Sequence, residues 1–183
     1  MIKFISEIIH GDIKPENVLI FKDDAGAYTA KVIDFGYSTQ FANEDDLVLV
    51  PKSWPWCAPE HNRDKFKPAQ AQKMDVFSFG ILCLWILFEK YLSGIISLPQ
   101  EAQWAERYFR SKEESHLSKQ ALDDLKQGDE LVMLARQLVL VEKDLDENKK
   151  QALVEFFSVS LTCEPDRRKD SVEDLLSRLM LNE

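Results

Sequence analysis

The sequence predicts an α+β fold that is predominantly helical, with one short β-strand pair near its start. Three observations carry this expectation. Two β-branched runs, "VLIF" (18–21) and "AKVI" (30–33), flank a turn-forming "KDDAGAY". From Asp34 to Glu60 no hydrophobic period holds, and the stretch contains Pro51, Pro55 and Pro59. Beyond it, apolar residues recur at three- and four-residue spacing to the end of the chain.

The strand pair reads as hairpin-like, closed by an Asp-Ala-Gly turn. The segment from Asp34 to Glu60 also holds an acidic cluster, Asn43 to Asp46. A loop of that length is uncommon in a compact domain unless it has a function. "DVFSFGILCLWILFEKYL" (Asp75 to Leu92) is apolar on nearly all sides, which places it as a helix in the middle of the core. Asp75 is expected in its first turn, where a negative charge suits the helix dipole. The apolar run within it, Val76 to Phe88, falls short of the ~20 residues a bilayer-spanning helix needs, so it reads as a core helix. Leu131, Leu134, Leu138, Val141 and Leu145 mark one amphipathic helix, and Leu153, Phe156, Phe157 and Leu161 another. The polar stretch between them and the core helix, Arg110 to Glu130, reads as an exposed helix and loop. A last helix opens with a capping box from Asp170 to Glu173 and buries Val172, Leu175, Leu176 and Leu179.

Composition narrows the function classes. The 183 residues suit one domain, and a net charge of −9 without any Lys/Arg-rich stripe argues against a nucleic-acid surface. Cys57, Cys83 and Cys163 share no metal-ligand spacing and suit a reducing compartment. "MIKFISEIIH" is too short an apolar stretch for a signal peptide. The expectation is a soluble intracellular domain, cytoplasmic, with no membrane partner.

Four signals fall in order: "HGDIKPEN" (10–17), "DFG" (34–36), "APE" (58–60) and "DVFSFG" (75–80). Each alone is common. An H-x-D in a loop is more often a turn with a local Asx hydrogen bond. Asn17 alone suits a backbone-satisfying role at a strand start, and Asp34 alone suits a turn. All four signals in this order and at these intervals are another matter.

Together they resemble the C-terminal lobe of the eukaryotic-type protein kinase family, from the first tenth of the chain to the last. The resemblance implies transfer of the ATP γ-phosphoryl group to a protein hydroxyl, with ATP and Mg²⁺ as cofactors and a protein substrate as partner. It implies that Asp12 accepts the proton of the substrate hydroxyl and that Lys14, of the Ser/Thr type, approaches the transferring phosphate. Asn17 and Asp34 match the two magnesium ligands, and Leu19 the floor of the adenine site. Ser53 sits where the family places a hydroxyl bonded to the catalytic Asp and Lys. Trp56 sits where an aromatic shapes the substrate's floor, though plain packing of Trp54 and Trp56 is an equal reading. His10 and Phe35 are implied to stack, Asp75 to hold the catalytic-loop backbone, and Arg168 of "EPDRRKD" to pair with Glu60.

The chain departs from the family pattern in three places. Gly11 replaces the arginine before the catalytic Asp, Lys52 stands where glycine is usual, and Lys169 replaces a proline. It also contains no Gly-rich phosphate loop, strand lysine or helix glutamate ahead of His10. The expectation is therefore one kinase-like domain over 1–183, truncated at its N-terminus, whose upper lobe is missing or supplied by a separate partner. Isolated, such a chain is expected to be inactive. A non-catalytic kinase-like binding or scaffold module is the alternative. A small-molecule phosphotransferase fits less well, because of "APE" and the long segment before it.

Overall fold

The computed structural model describes residues 8–22, 24, 26–41, 43–109 and 116–180, with the side chains of 109, 116–119 and 178–180 excepted. Among them six strands form three separate antiparallel pairs. β1 (Ile8–Ile9) pairs with β4 (Thr39–Gln40), β2 (Val18–Lys22) with β3 (Tyr28–Val32), and β5 (Val48–Leu49) with β6 (Lys65–Phe66). The sequence pointed to only one pair. β1, β4, β5 and β6 are two residues each, too short for any alternation to register.

Helix α1 (Pro68–Leu92) runs through the core. It begins well before Asp75, so the expected placement of Asp75 in the first turn is corrected: it lies in the helix interior. "PAQAQKM" has no apolar period, yet it holds good helix formers behind a proline at the first position, where the missing N–H costs nothing. Gln70 Oε1 accepts from the Lys67 N–H and closes that end. By length and hydropathy α1 could cross a membrane, but 67% of its most apolar window is buried inside the protein. Gly80 is required where α1 meets α5 (Glu147–Ser160): a Cβ there would lie 2.6 Å from Ser160 Oγ and 2.8 Å from its Cβ. Phe79, Phe156 and Phe157 pack edge to face across the same contact.

The remaining helices are α2 (Glu106–Phe109), α3 (His116–Leu125), α4 (Glu130–Val141) and α6 (Val172–Met180). The reading of Arg110 to Glu130 as exposed needs correction. Residues 110–115 lie outside the described ones, but Ala121, Leu122, Leu125 and even Lys126 are buried. Leu117, Ala121, Leu122 and Leu125 do recur at helical spacing, but the charged residues between them dominated the reading of the run. α4 and α5 are locked by Asp129, which accepts from Thr162 Oγ1 (3.0 Å), the Cys163 N–H (3.1 Å) and Arg167 (3.0 Å). α5 is capped by Asp146, whose Oδ1 accepts from the Lys149 N–H at 2.9 Å. At α6 the cap is Ser171, accepting from the Asp174 N–H at 3.1 Å, one residue later than the expected box. Val172 and Leu175 are buried there, Leu176 is partly so, and the Leu179 side chain lies outside the described ones.

Candidate active site

The loop between β1 and β2 is built on a buried carboxylate. Asp75 Oδ2 accepts from the His10 N–H (2.6 Å) and Oδ1 from the Gly11 N–H (2.9 Å). Burial pushes the Asp75 carboxyl up to about 7, against the pull of those two donors. Gly11 has φ +78°, a left-handed conformation that glycine adopts without strain. His10 Nδ1 accepts from the Asp12 N–H (3.3 Å) and its Nε2–H donates to Ile33 O (3.1 Å), so both ring nitrogens are committed in the neutral form. Burial draws the His10 pKa down, which keeps that form. Phe35 meets the His10 ring edge-on with centroids 5.2 Å apart, while 59% of Phe35 stays exposed.

Asp12 is where the loops converge. Its Oδ2 accepts from Lys14 Nζ at 2.7 Å and Asn17 Nδ2 at 3.1 Å, and its Oδ1 from Ser53 Oγ. Burial alone would raise its pKa, but the bonds from Lys14, Ser53 and Asn17 outweigh it and hold the carboxyl below the ordinary value. Lys14 is raised in turn, chiefly by its bond to Asp12. Asp12 is therefore a fixed anion, better suited to orient a hydroxyl than to act as a strong base.

The strand pair sets the second group of residues. Pro15 starts a 3₁₀ turn that ends at Asn17. Asn17 O accepts from the Ile33 N–H at 2.9 Å, in register with Val18 opposite Val32, so Asn17 and Asp34 share one end of the hairpin. Asn17 Nδ2 is engaged by Asp12, donating to its backbone O (2.8 Å) and to its carboxylate, so the amide nitrogen and not the amide oxygen is spent on Asp12. Asp34 is exposed, at φ +62°, with Oδ1 accepting from the Gly36 N–H at 3.2 Å. Among the described residues no three His, Cys, Asp or Glu side chains gather to cage a metal. One amide and one carboxylate, both hard oxygen donors, still fit magnesium, which keeps waters and phosphate oxygens in its shell. Leu19, on β2, is 42% exposed beside this end of the site.

On the other side, the Cys57 N–H closes a turn onto Ser53 O at 2.9 Å. Trp56 is buried against Trp85, with centroids 5.9 Å apart, so it supports this turn from beneath, and Trp54 is the exposed aromatic. Glu60 and Arg168 form a two-pronged ion pair at 2.6 and 2.9 Å. Arg168 also donates to Thr162 O (2.8 Å) and lies 4.8 Å over the Phe77 ring.

Two residues near the site were not singled out from sequence. His61, directly after "APE", donates through Nε2 to Val50 O at 2.9 Å. Its Nδ1 is a buried polar atom with no partner, and it borders a small cavity shared with Asp12, Asp75 and Ser78. Its place in the motif-bearing segment was a usable signal. Lys126 had none: nothing in "LDDLKQGDE" distinguishes it from a solvated lysine.

The protein kinase domain family model matches residues 4–179. The chain belongs to the protein kinase domain family. This kinase domain is similar to sperm motility kinase 2B of Mus musculus, 32% identical over 83 residues. It is 35% identical over 83 residues to mitogen-activated protein kinase kinase kinase 13-A of Xenopus laevis, and 29% identical over 97 residues to human ribosomal protein S6 kinase alpha-6. These matches cover 45%, 45% and 51% of the chain, and 16%, 8% and 13% of the respective relatives. The chain thus spans less than a fifth of the length of the curated relatives it matches.

Proposed function

We propose that this kinase lobe transfers the γ-phosphoryl group of ATP to a serine or threonine hydroxyl of a protein. In this reading it acts with a nucleotide-binding lobe from outside these 183 residues. The observation that carries the proposal is the convergence of Lys14, Asn17 and Ser53 on the Asp12 carboxylate. Magnesium-bound ATP, when present, supplies the phosphoryl group and the charge neutralisation its transfer needs. Asp12 orients the substrate hydroxyl and takes its proton at a carboxylate oxygen. Lys14 offers a point charge beside it, and Asn17 and Asp34 would hold the metal side. Positioning is most of what this reaction asks of a protein. The half-exposed Leu19, Phe21, Phe35 and Tyr37 support an apolar partner surface over the strand pair.

The test follows label from γ-labelled ATP to a protein substrate, with the intact protein that carries this lobe and with the 183-residue chain alone. Transfer by the first, lost on Asp12→Asn, and no transfer by the second is the expected result. An intact protein that binds partners normally yet transfers nothing would favour the scaffold reading. Phosphorylation of tyrosine alone would overturn the Ser/Thr assignment.

A further inference from the structure

The side chain of Lys126 is only 1% exposed. Its Nζ donates to Pro55 O, to Cys57 O at 2.7 Å and to Asp123 Oδ1 at 3.2 Å, and it sits 5.8 Å from the Phe77 ring centroid. Lysines are almost never fully buried unless paired, and an ammonium out of water is costly to keep. Burial pulls its pKa down, and the Asp123 carboxylate offsets part of that. What this ammonium holds is specific: two backbone carbonyls on either side of Trp56, in the turn that begins at Ser53. Ser53 is the residue that bonds Asp12 from the substrate side. Without Lys126 these carbonyls, from residues that are themselves buried, would lose the donor that joins them.

We propose that Lys126 is a positioning residue for the protein-substrate side of the site, acting through the Ser53–Cys57 turn. Its ammonium gathers the carbonyls of Pro55 and Cys57, which fixes the direction of Ser53 toward Asp12 and of Trp54 toward solvent, where an incoming peptide would lie. The metal end, formed by Asn17 and Asp34, is built on the strand pair and does not depend on it. This assignment rests on the phosphoryl-transfer reading for its kinetics but not for its geometry.

Two measurements on the intact protein separate the two. Lys126→Met keeps the apolar stem over Phe77 and removes every donor, and Lys126→Gln keeps one donor group. Amide exchange at Cys57, whose N–H bonds Ser53 O, should quicken at least about tenfold in the Met variant and less in the Gln variant. The His10 and Gly11 amides, held by Asp75, should not change. In kinetics, KM for the protein substrate should rise about tenfold while KM for ATP stays within about twofold. A merely structural lysine would speed exchange everywhere, or shift both KM values alike, and either result overturns the proposal. So does unchanged exchange at Cys57. If the Met variant fails to fold, Lys126→Gln against the parent decides on the same readouts. Localised exchange in a protein with no transferase activity would uphold the positioning and refute the catalytic reading alone.

Discussion

The segment from Asp34 to Glu60 is held in two ways. From Asp34 to Leu47 it lies near the surface, with Asp34 to Tyr37 and Asn43 to Leu47 exposed. Its ties include the two-residue β1–β4 pair, Ser38 Oγ donating to His10 O at 3.2 Å, the edge of Phe35 on His10, Phe41 packed against the core, and an exposed Lys67–Asp45 ion pair at 3.0 Å. From Val48 onward, Val48, Val50 and Pro55 to Ala58 are buried, and side chains from distant parts of the chain reach in. His61 holds Val50, Lys126 holds Pro55 and Cys57, and Arg168 holds Glu60. The half from Val48 to Glu60, proposed above as the substrate side, is thus preorganised by the protein's own donors. The half around Asp34, proposed above as the metal side, presents an exposed carboxylate on a left-handed turn, held by the Gly36 N–H.

The largest expected effect lies where the halves meet. Asp12→Asn keeps the shape and removes the anion, so turnover of the intact protein should fall about 10²–10⁴-fold with ATP affinity little changed. Turnover within about threefold of the parent would remove Asp12 from the proposed role. Its titration adds a sign. Asp12 has a folded-state pKa below its ordinary 3.8, so its charge contributes stability above that value and loses it as pH falls further. The part of the stability difference between parent and Asp12→Asn that belongs to the Asp12 charge should be lost only below about pH 4. Any change near pH 7 belongs to Asp75, whose carboxyl the Asp12 charge helps to raise. Denaturant melts across both pH ranges check it.

Arg168→Ala comes next, and tests the buried half. It strands Glu60 and the carbonyls of Thr162, Cys163 and Lys73, for a loss of about 3–5 kcal/mol, toward the lower end because Glu60 keeps 25% of its side chain in water. Its neighbour Arg167 makes an exposed pair with Asp129 at 3.0 Å, so Arg167→Ala should cost under about 1 kcal/mol. Equal melting shifts for the two would show that the anchor has been misassigned.

The exposed half predicts the reverse pattern. Asp34→Asn tolerates the same left-handed backbone and should leave stability within about 0.5 kcal/mol, while transfer falls about 10²-fold or more. A large stability loss with activity intact would erase the contrast between the halves.

The smallest effect expected is none. No Ser or Thr lies between Gln40 and Lys52, and Gly11 offers no cation to a phosphate. The buried half is already ordered by His61, Lys126 and Arg168. Phosphatase treatment should leave activity within about twofold. A tenfold loss traced to Ser38, Thr39 or Ser53 would break that account.

Four short motifs, readable without coordinates, placed this chain in its family, because catalytic chemistry demands particular residue types at fixed intervals. The core helix was legible too, since an all-round apolar run shorter than a bilayer needs reads as a core helix. Its start was not: Pro68 to Met74 carries propensity without pattern, and Asp75 became a buried acceptor instead of a first-turn charge. β1, β4, β5 and β6 were invisible, because two residues cannot show a period and their pairing is decided by what they pack against. The sequence showed that Asp12, Lys14, Asn17 and Ser53 were present, but only the fold brings Ser53 to the Asp12 carboxylate across 41 positions. The burial of Lys126 belongs wholly to tertiary structure. A lysine's side chain is the same in water or beneath a turn, and the carbonyls that stabilise it 69 and 71 residues away leave no trace in its neighbours.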